Sequence, residues 1–431
     1  MSYIATDPSQ LKICIVMVGL PGRGKSFMTQ KVVRYMTWQS IKANSFNVGI
    51  YRRKVTAHPH ADFFKNDNEE GQRLRREASE AAMNDLLTWM FDEDGQVAVY
   101  DATNSTRERR AWIVETLCAW HVHPLFVETV CDDEETILNN VMDVKTNSPD
   151  YLGTDPQKAS KDFLARIDTY KESYQSISNN ERLSYLKLKN VGTQVVINHI
   201  QSYLESHIVY YLMNLHIKPR KLWLSRHGES EFNLSGLLGG DSDLSERGFT
   251  YARKLPELLA KAQDGIPESK LTVWTSTLKR TQQTAQYLPY RKLQWKALDE
   301  LDAGVCDGLT YKEIQERYPE DFAARDENKF EYRYRGGESY RDVVTRLDPI
   351  IMELERQENI VIVTHQAVLR CIYAYYMNVP QEKSPWMQVP LHTLICLEPR
   401  AYGTKETRIS ADIPAVSTFR AKGEDPKSQH A

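Results

Sequence analysis

Charge of one sign is what this 431-residue chain lacks: 55 lysines and arginines stand against 58 aspartates and glutamates, a net of −3. A general binder of nucleic acid or of anionic membranes carries a basic excess, so the balance argues against both partners, and any attraction for phosphate has to be local. Cysteine is scarce as well. The six residues, Cys14, Cys118, Cys131, Cys306, Cys371 and Cys396, include no CxxC pair, which argues against a disulfide frame or a zinc site and suits reduced thiols. No apolar run is long enough to span a bilayer, and the opening "MSYIATDPSQ" lacks the basic-then-apolar pattern of a secretory signal. Repeats and low-complexity tracts are missing too. These absences together give the expectation of a cytoplasmic protein.

What is present is an ordinary globular composition, 41% hydrophobic and 26% charged, on a chain long enough for two cores of roughly 200 residues each. In the first half, apolar runs ("ICIVMVG" at 13–19, "QVAVYDA" at 96–102, "HPLFVETV" at 123–130) alternate with amphipathic stretches, the pattern of a parallel sheet covered on both faces. The stretch "VVINHIQSYLESHIVYYLMNLHI" reads as one long helix, ended by the breaker Lys218-Pro219-Arg220. The pattern then restarts with "KLWLSRHG", "LTVWTS" and "IVIVTHQ". The expected architecture is α/β throughout: two doubly wound domains, residues 1–217 and 218–420, with a disordered tail over 421–431.

Two devices for phosphate stand out. The first, Gly19-Leu-Pro-Gly22-Arg-Gly24-Lys25-Ser26, matches GxxxxGK[ST] between an apolar strand and a helix. Such a loop turns backbone N–H groups toward a β-phosphate, lets the lysine reach the β/γ oxygens and offers the hydroxyl to Mg²⁺. Asp101, ending the strand "QVAVYDA", either completes the metal site or caps the next helix. Tyr51-Arg52-Arg53, Arg75-Arg76, Thr103, Arg107, Arg109, Lys145, Arg166 and Tyr170 supply cations for a second phosphate on an acceptor; any one of them taken singly also suits a solvated helix face. Cys131 reads as a strand-end thiol.

The second device is Arg226-His227-Gly228-Glu229, at the end of a strand. An imidazole is neutral at pH 7 and can attack phosphorus. Arg280 and His365 also follow strands, and Glu300 sits on an intervening loop. Two histidines, two arginines and a carboxylate make a phosphate clamp with an acid for the leaving oxygen, although His365 alone would serve equally as a cap.

The second half resembles the histidine phosphatase (phosphoglycerate mutase-like) superfamily and the first a P-loop sugar kinase. In this order the two resemble the bifunctional 6-phosphofructo-2-kinase/fructose-2,6-bisphosphatase family, through "VMVGLPGRGKS", "FNVGIYRR", "YDATNSTRERR", "VKTNSPDY", "SRHGESEFN", "GGDSDLSERG", "WTSTLKRTQQTA", "LDAGVCDGLTYKEIQ" and "THQAVLR". The resemblance implies ATP and Mg²⁺ as cofactors, held by Gly19, Gly22, Gly24, Lys25 and Ser26, with Asp101 on the metal and Asn140 to Lys145 closing over the nucleotide. It implies fructose 6-phosphate on Arg52, Arg75, Thr103, Arg109, Lys145, Arg166 and Tyr170, and an active-site position for Cys131. For the phosphatase it implies His227 as nucleophile, Arg226, Arg280 and His365 as clamp, and Glu300 as proton donor. Asn233, Gly239, Tyr311, Arg325, Lys329, Tyr340, Gln366 and Arg370 would then hold fructose 2,6-bisphosphate. A homodimer is a further implication. Gly22 and Ser26 stand where the family usually has alanine and threonine, and "KLPELLAKAQDGIPESKLT" is longer than expected between helix and strand, which suggests a surface loop. The basic, serine-bearing N-terminal extension of some relatives has no counterpart, so phosphorylation at either end is not expected to control the enzyme.

Overall fold

The computed structural model describes residues 11–56, 61–65, 67–134, 137–138, 150, 155–190, 192–215, 220–263, 265–267, 270–400 and 403–424. It divides into two units, Met1–Leu215 and His216–Ala431.

At the centre of the first unit lies β1, Ile13–Val18, six apolar residues with every side chain buried. A strand walled by neighbours on both faces can be apolar throughout, and each fully buried Ile or Val contributes ~1.5–3 kcal/mol. Around it run β2 (Ala43–Asn47), β3 (Val97–Asp101), β4 (His123–Val130), β5 (Ser184–Lys189) and β6 (Gln194–Asn198), in the order β2-β3-β1-β4-β5-β6. The first five are parallel, and β6 returns antiparallel to β5. Strand order reverses at β1, so the crevice beyond its carboxyl end is where a ligand fits in such a sheet.

The second sheet has the order β12-β11-β7-β10-β8-β9. Its parallel part joins β7 (Lys221–Arg226), β10 (Asn359–Thr364), β8 (Leu271–Thr275) and β9 (Arg291–Gln294). Two antiparallel strands, β11 (Thr393–Arg400) and β12 (Gly403–Ser410), close the other edge. Register sets Arg226 of β7 opposite Thr364 of β10, so the residues that follow, His227 and His365, emerge at one sheet edge. Both sheets are therefore α/β as expected but mixed rather than wholly parallel.

Two local expectations are corrected. "VVIN" is not helical: it lies in β6, and the helix Tyr203–Met213 starts only at Ser202, whose hydroxyl accepts from Glu205 N in a capping box. The stretch beginning "KLPELLAKA" is not a surface loop at its start, since it completes the helix Glu246–Ala262, with Leu255, Leu258 and Leu259 buried against the sheet. Pro256 masked that periodicity. Residues 421–424 of the expected tail form a turn in which Ala421 N donates to Glu424 Oε2 (2.8 Å). Residues 425–431, like Asn140 and Lys145, lie outside the described residues. Among the described residues no helix is long and apolar enough to cross a membrane.

Arg220, one residue ahead of β7, is buried with Glu355. Its Nη2 donates to Glu355 Oε2 (2.8 Å), its Nη1 donates to Leu354 O (2.6 Å), and Tyr375 OH donates to Glu355 Oε1 (2.8 Å). Glu355→Ala strands the guanidinium without a counter-charge, an expected loss of ~3–5 kcal/mol. Urea unfolding followed by the buried Trp223 and Trp274 should show an earlier transition, and an unmoved midpoint would mean that the pair does not brace this unit.

Candidate active sites

The turn after β1 needs glycine for a steric reason. Gly19 has φ +142, and a Cβ there would sit 2.6 Å from Thr129 O; its N–H donates to Thr103 O (3.0 Å), which fastens the loop to the end of β3. Gly22 and Gly24 also have positive φ, and Gly24 is the N-cap of the helix Lys25–Trp38. A loop of this form opening a helix is an anion cradle. Lys25 is buried and donates to Leu20 O (2.7 Å). Burial, only partly offset by Asp101, pulls its pKa down to about 8. Ser26 Oγ donates to Asp101 Oδ2 (2.7 Å), as does Asn47 Nδ2 (2.6 Å). Asp101 thus faces the loop and does not cap the following helix, a part taken by Thr106. A hydroxyl and a carboxylate side by side are hard oxygen donors, the set that suits Mg²⁺ when phosphates and water complete its shell.

The acceptor candidates gather around a residue the sequence did not single out. Over the ring of Phe64 lie the guanidiniums of Arg166 (3.9 Å), Arg52 (5.4 Å) and Arg75 (6.0 Å), and Tyr170 packs beside it with ring centroids 5.7 Å apart. Cation–π attraction lets one aromatic face collect several cations. A second unforeseen residue, Asp150, takes two bonds from Arg52 Nη2 (2.7 and 2.6 Å) and one from Arg166 Nη1 (3.3 Å). Burial alone would raise its pKa, but Arg52, Arg166 and Arg53 hold the carboxyl below its usual range. Arg52 Nε and Nη1 stay buried without a hydrogen-bond partner among the described residues. Arg109 stands apart from Phe64: it donates to Tyr100 OH (2.6 Å) and lies over Trp112 (4.2 Å). Arg107 is exposed and donates to Ser178 Oγ (3.3 Å), so it belongs to a solvated face. Cys131 is buried near Arg23, its thiol 3.8 Å from Asp133 O.

In the second unit His227 and His365 are buried with ring centroids 5.2 Å apart. His227 Nδ1 is 2.7 Å from Gly228 O. Donation to that carbonyl leaves the lone pair on Nε2, the nucleophilic tautomer. Burial, with Arg280 and Arg226 adding like charge, drives the pKa of His227 well below the usual value, so the ring is neutral. Arg226 Nη1 donates to Val389 O (3.0 Å) and to Thr418 Oγ1 (2.7 Å), while its Nε is buried without a partner among the described residues. Arg280 Nη1 donates to Gly240 O (2.6 Å). Glu300 accepts the amides of Leu301, Gln366 and Ala367 (2.9 to 3.1 Å), which sets it against the start of the helix Gln366–Met377.

A second cationic pocket adjoins. Arg325 donates to Tyr334 OH (2.8 Å) and Tyr311 OH (2.9 Å), Arg370 donates to Tyr340 OH (3.0 Å), and Lys329 donates to Pro385 O (2.9 Å). Burial, then Arg325 and Arg370, push the Lys329 pKa well down. Asn233 caps its own short helix, accepting from Ser230 N (3.0 Å). Gly239 has φ +69, and a Cβ there would collide with Asp307. Gln366 enters through its backbone N–H. Sequence reasoning missed Asp326, Thr418 and Arg420: Arg420 Nη1 donates to Asp326 Oδ1 (2.7 Å), which also accepts from Arg325 Nη1 (3.1 Å). Only the threonine-arginine pair just past the last strand could have hinted at them.

The profile of the 6-phosphofructo-2-kinase family matches residues 2–219, and that of the histidine phosphatase superfamily (branch 1) matches residues 222–412. The chain is 58% identical to the fructose-2,6-bisphosphatase of Saccharomyces cerevisiae over 98% of its own length and 93% of the relative's. It is 48% identical to the 6-phosphofructo-2-kinase/fructose-2,6-bisphosphatase of Aquarana catesbeiana over 95% of this chain and 87% of that one. The human 6-phosphofructo-2-kinase/fructose-2,6-bisphosphatase 1 is 46% identical over the same shares. Two profiles that tile one polypeptide, joined to relatives matched along nearly their whole length, make one assignment: the chain belongs to the 6-phosphofructo-2-kinase/fructose-2,6-bisphosphatase family.

Proposed function

We propose that the protein makes fructose 2,6-bisphosphate from fructose 6-phosphate and ATP in its first unit and hydrolyses it back to fructose 6-phosphate and phosphate in its second, thereby setting the balance of glycolysis and gluconeogenesis in the cytoplasm. The observation that carries this reading is the pair of separate anion pockets, one around Lys25 and one around His227.

In the kinase the loop amides and Lys25 hold the nucleotide phosphates, and Ser26 with Asp101 would hold Mg²⁺, which would supply neutralisation of the phosphate charge. Arg52, Arg75 and Arg166 grip the 6-phosphate of the sugar. A sugar phosphate arriving there competes with the Asp150 carboxylate for the same guanidiniums. Thr103, Arg109 and Tyr170 are assigned to the acceptor and, as the family resemblance implies, Asn140 and Lys145 to the nucleotide, while Cys131 lies near Arg23 of the loop. No base is needed if positioning and charge neutralisation lower the barrier.

In the phosphatase His227 Nε2 attacks the 2-phosphate, the P–O bond to the sugar breaks, and Glu300 protonates the departing C2 oxygen. Water, deprotonated by Glu300, then cleaves the phosphohistidine. Arg226, Arg280 and His365 hold the phosphoryl oxygens, and Arg325, Lys329, Arg370, Tyr311 and Tyr340 take the 6-phosphate, with Asn233, Gly239 and Gln366 against the sugar. One relative is named for the bisphosphatase alone, which favours a second reading in which only that half turns over. The unbroken GxxxxGKS loop and Asp101 favour the bifunctional one.

The reading extends to a homodimer. β6 is an edge strand with Val196 and Ile197 37% and 48% exposed, and Tyr203 beyond it is 81% exposed. An apolar edge invites strand pairing with a second copy.

Four outcomes are expected. Lys25→Met abolishes kinase turnover and leaves phosphatase turnover intact, whereas His227→Ala does the reverse; parallel loss of both activities in either variant contradicts two independent sites. Label from fructose 2,6-bisphosphate carrying ³²P at the 2-position appears on His227. Because His227 is neutral well below its ordinary pKa, the rate of that labelling should not fall as pH drops through about 6.5; a decline centred there would show an ordinary, solvated imidazole. Ile197→Lys should shift the light-scattering mass from two copies toward one, and an unchanged mass would exclude β6 as the dimer edge.

A further inference from the structure

His365 is held from behind by two hydroxyls that no motif marked. Its Nε2 lies 2.8 Å from Ser276 Oγ, and Ser276 Oγ lies 2.8 Å from Thr281 Oγ1. Ser276 Oγ also accepts Leu278 N–H (3.1 Å), and Thr281 Oγ1 is 2.9 Å from Leu278 O. Ser276, Thr281 and His365 are all fully buried, and His365 Nδ1, the other ring nitrogen, has no partner among the described residues.

A count of protons allows two complete arrangements. In one, Nε2–H donates to Ser276, Ser276 donates to Thr281, and Thr281 donates to Leu278 O; Nδ1 is then a bare lone pair. In the other, Thr281 donates to Ser276, Ser276 donates to Nε2, and the single imidazole proton sits on Nδ1. Ser276 makes three hydrogen bonds in both. The two differ in what the orphan nitrogen offers, and phosphoryl oxygens are acceptors only. Burial, then Arg280, His227 and Arg226, drives the pKa of His365 well below its ordinary value, so a second proton is not the way to gain a donor.

We propose that Ser276, backed by Thr281, is a positioning residue that fixes His365 as a neutral Nδ1–H donor to the phosphoryl group under attack by His227. This deepens the phosphatase reading and rests on it. A partner that sets the tautomer of a functional imidazole is worth a factor of about 10–100 in comparable second-layer contacts.

The test uses the full chain labelled with ¹⁵N-histidine, its His365 signals identified by their loss in His365→Asn. With saturating inorganic phosphate, the long-range ¹H–¹⁵N spectrum should show Nδ1 of His365 protonated and Nε2 bare. Ser276→Ala should convert this to a tautomer mixture, and kcat for fructose 2,6-bisphosphate should fall about 10- to 100-fold with KM nearly unchanged. Thr281→Val, close in shape, covers the case in which Ser276→Ala does not fold: it should shift the tautomer ratio in the same sense and lower kcat about 2- to 10-fold. A protonated Nε2 in the phosphate complex, or variants that keep the wild-type tautomer or kcat, would overturn the proposal. Absence of bisphosphatase turnover in the wild-type protein would instead sink the proposed reaction, a failure that the spectrum on inorganic phosphate reports separately.

Discussion

Both sites depend on cations buried beside one another with too few anions to match. Two unit charges 4 Å apart repel by ~4 kcal/mol at an effective dielectric of 20, so a cluster such as Arg226, Arg280, Arg370 and Lys329 stays folded only if something else holds each member. Here dipoles do it. Val389 O, Gly240 O, Met387 O and Pro385 O each accept from one of the four. Carbonyls orient a cation without cancelling its charge, so the field remains available to a dianion. Burial first, and then the same positive surroundings, hold the pKa of His227 and His365 well below the ordinary value, which suits the proposed nucleophile and the proposed neutral donor alike. One constraint therefore prepares binding and chemistry together.

The two units meet that constraint differently. In the second unit Arg226, Arg280, Arg370 and Lys329 rest on carbonyls and a phenol, and only Arg325 and Arg420 beside them are paired to a carboxylate, that of Asp326. In the first unit Asp150 already sits among Arg52, Arg53 and Arg166, so in the proposed reaction an acceptor would enter by exchange of one anion for another. A carboxylate bound to three guanidiniums makes that exchange cost more than filling an open pocket would. On that proposal the acceptor's affinity would be a difference between two ion-pair energies, not the strength of one.

Much of this was legible from residue order. Apolar runs that ended in polar residues marked β1, β3, β7 and β10, and the candidate residues sit at those ends, where a parallel sheet exposes its carboxyl edge to ligands. Lys25, Asp101, His227 and His365 could be picked out for that reason. What escaped notice depends on contacts far apart in sequence: Phe64 gathering Arg52, Arg75 and Arg166, or Ser276 behind His365, 89 residues on. A phenylalanine or a serine carries no signature of its own until the fold brings its partner. β6 was misread because Val195, Val196 and Ile197 suit a strand, while the apolar helix beyond them extended the run. The helix Glu246–Ala262 was misread for the opposite reason, since Pro256 broke a pattern that its buried leucines sustain.

The polypeptide beyond β12 has a bearing on where this catalytic module stops. The superfamily profile ends at residue 412, yet Val416 N donates to Glu229 Oε2 (2.8 Å), Thr418 meets Arg226, and Arg420 grips Asp326 beside Arg325. These few residues form a girdle that reaches both the Arg226 and the Arg325 clusters of the second unit from outside its sheet. An excised fragment trimmed at the last strand would keep every reacting group and lose the outer belt that aims two of them.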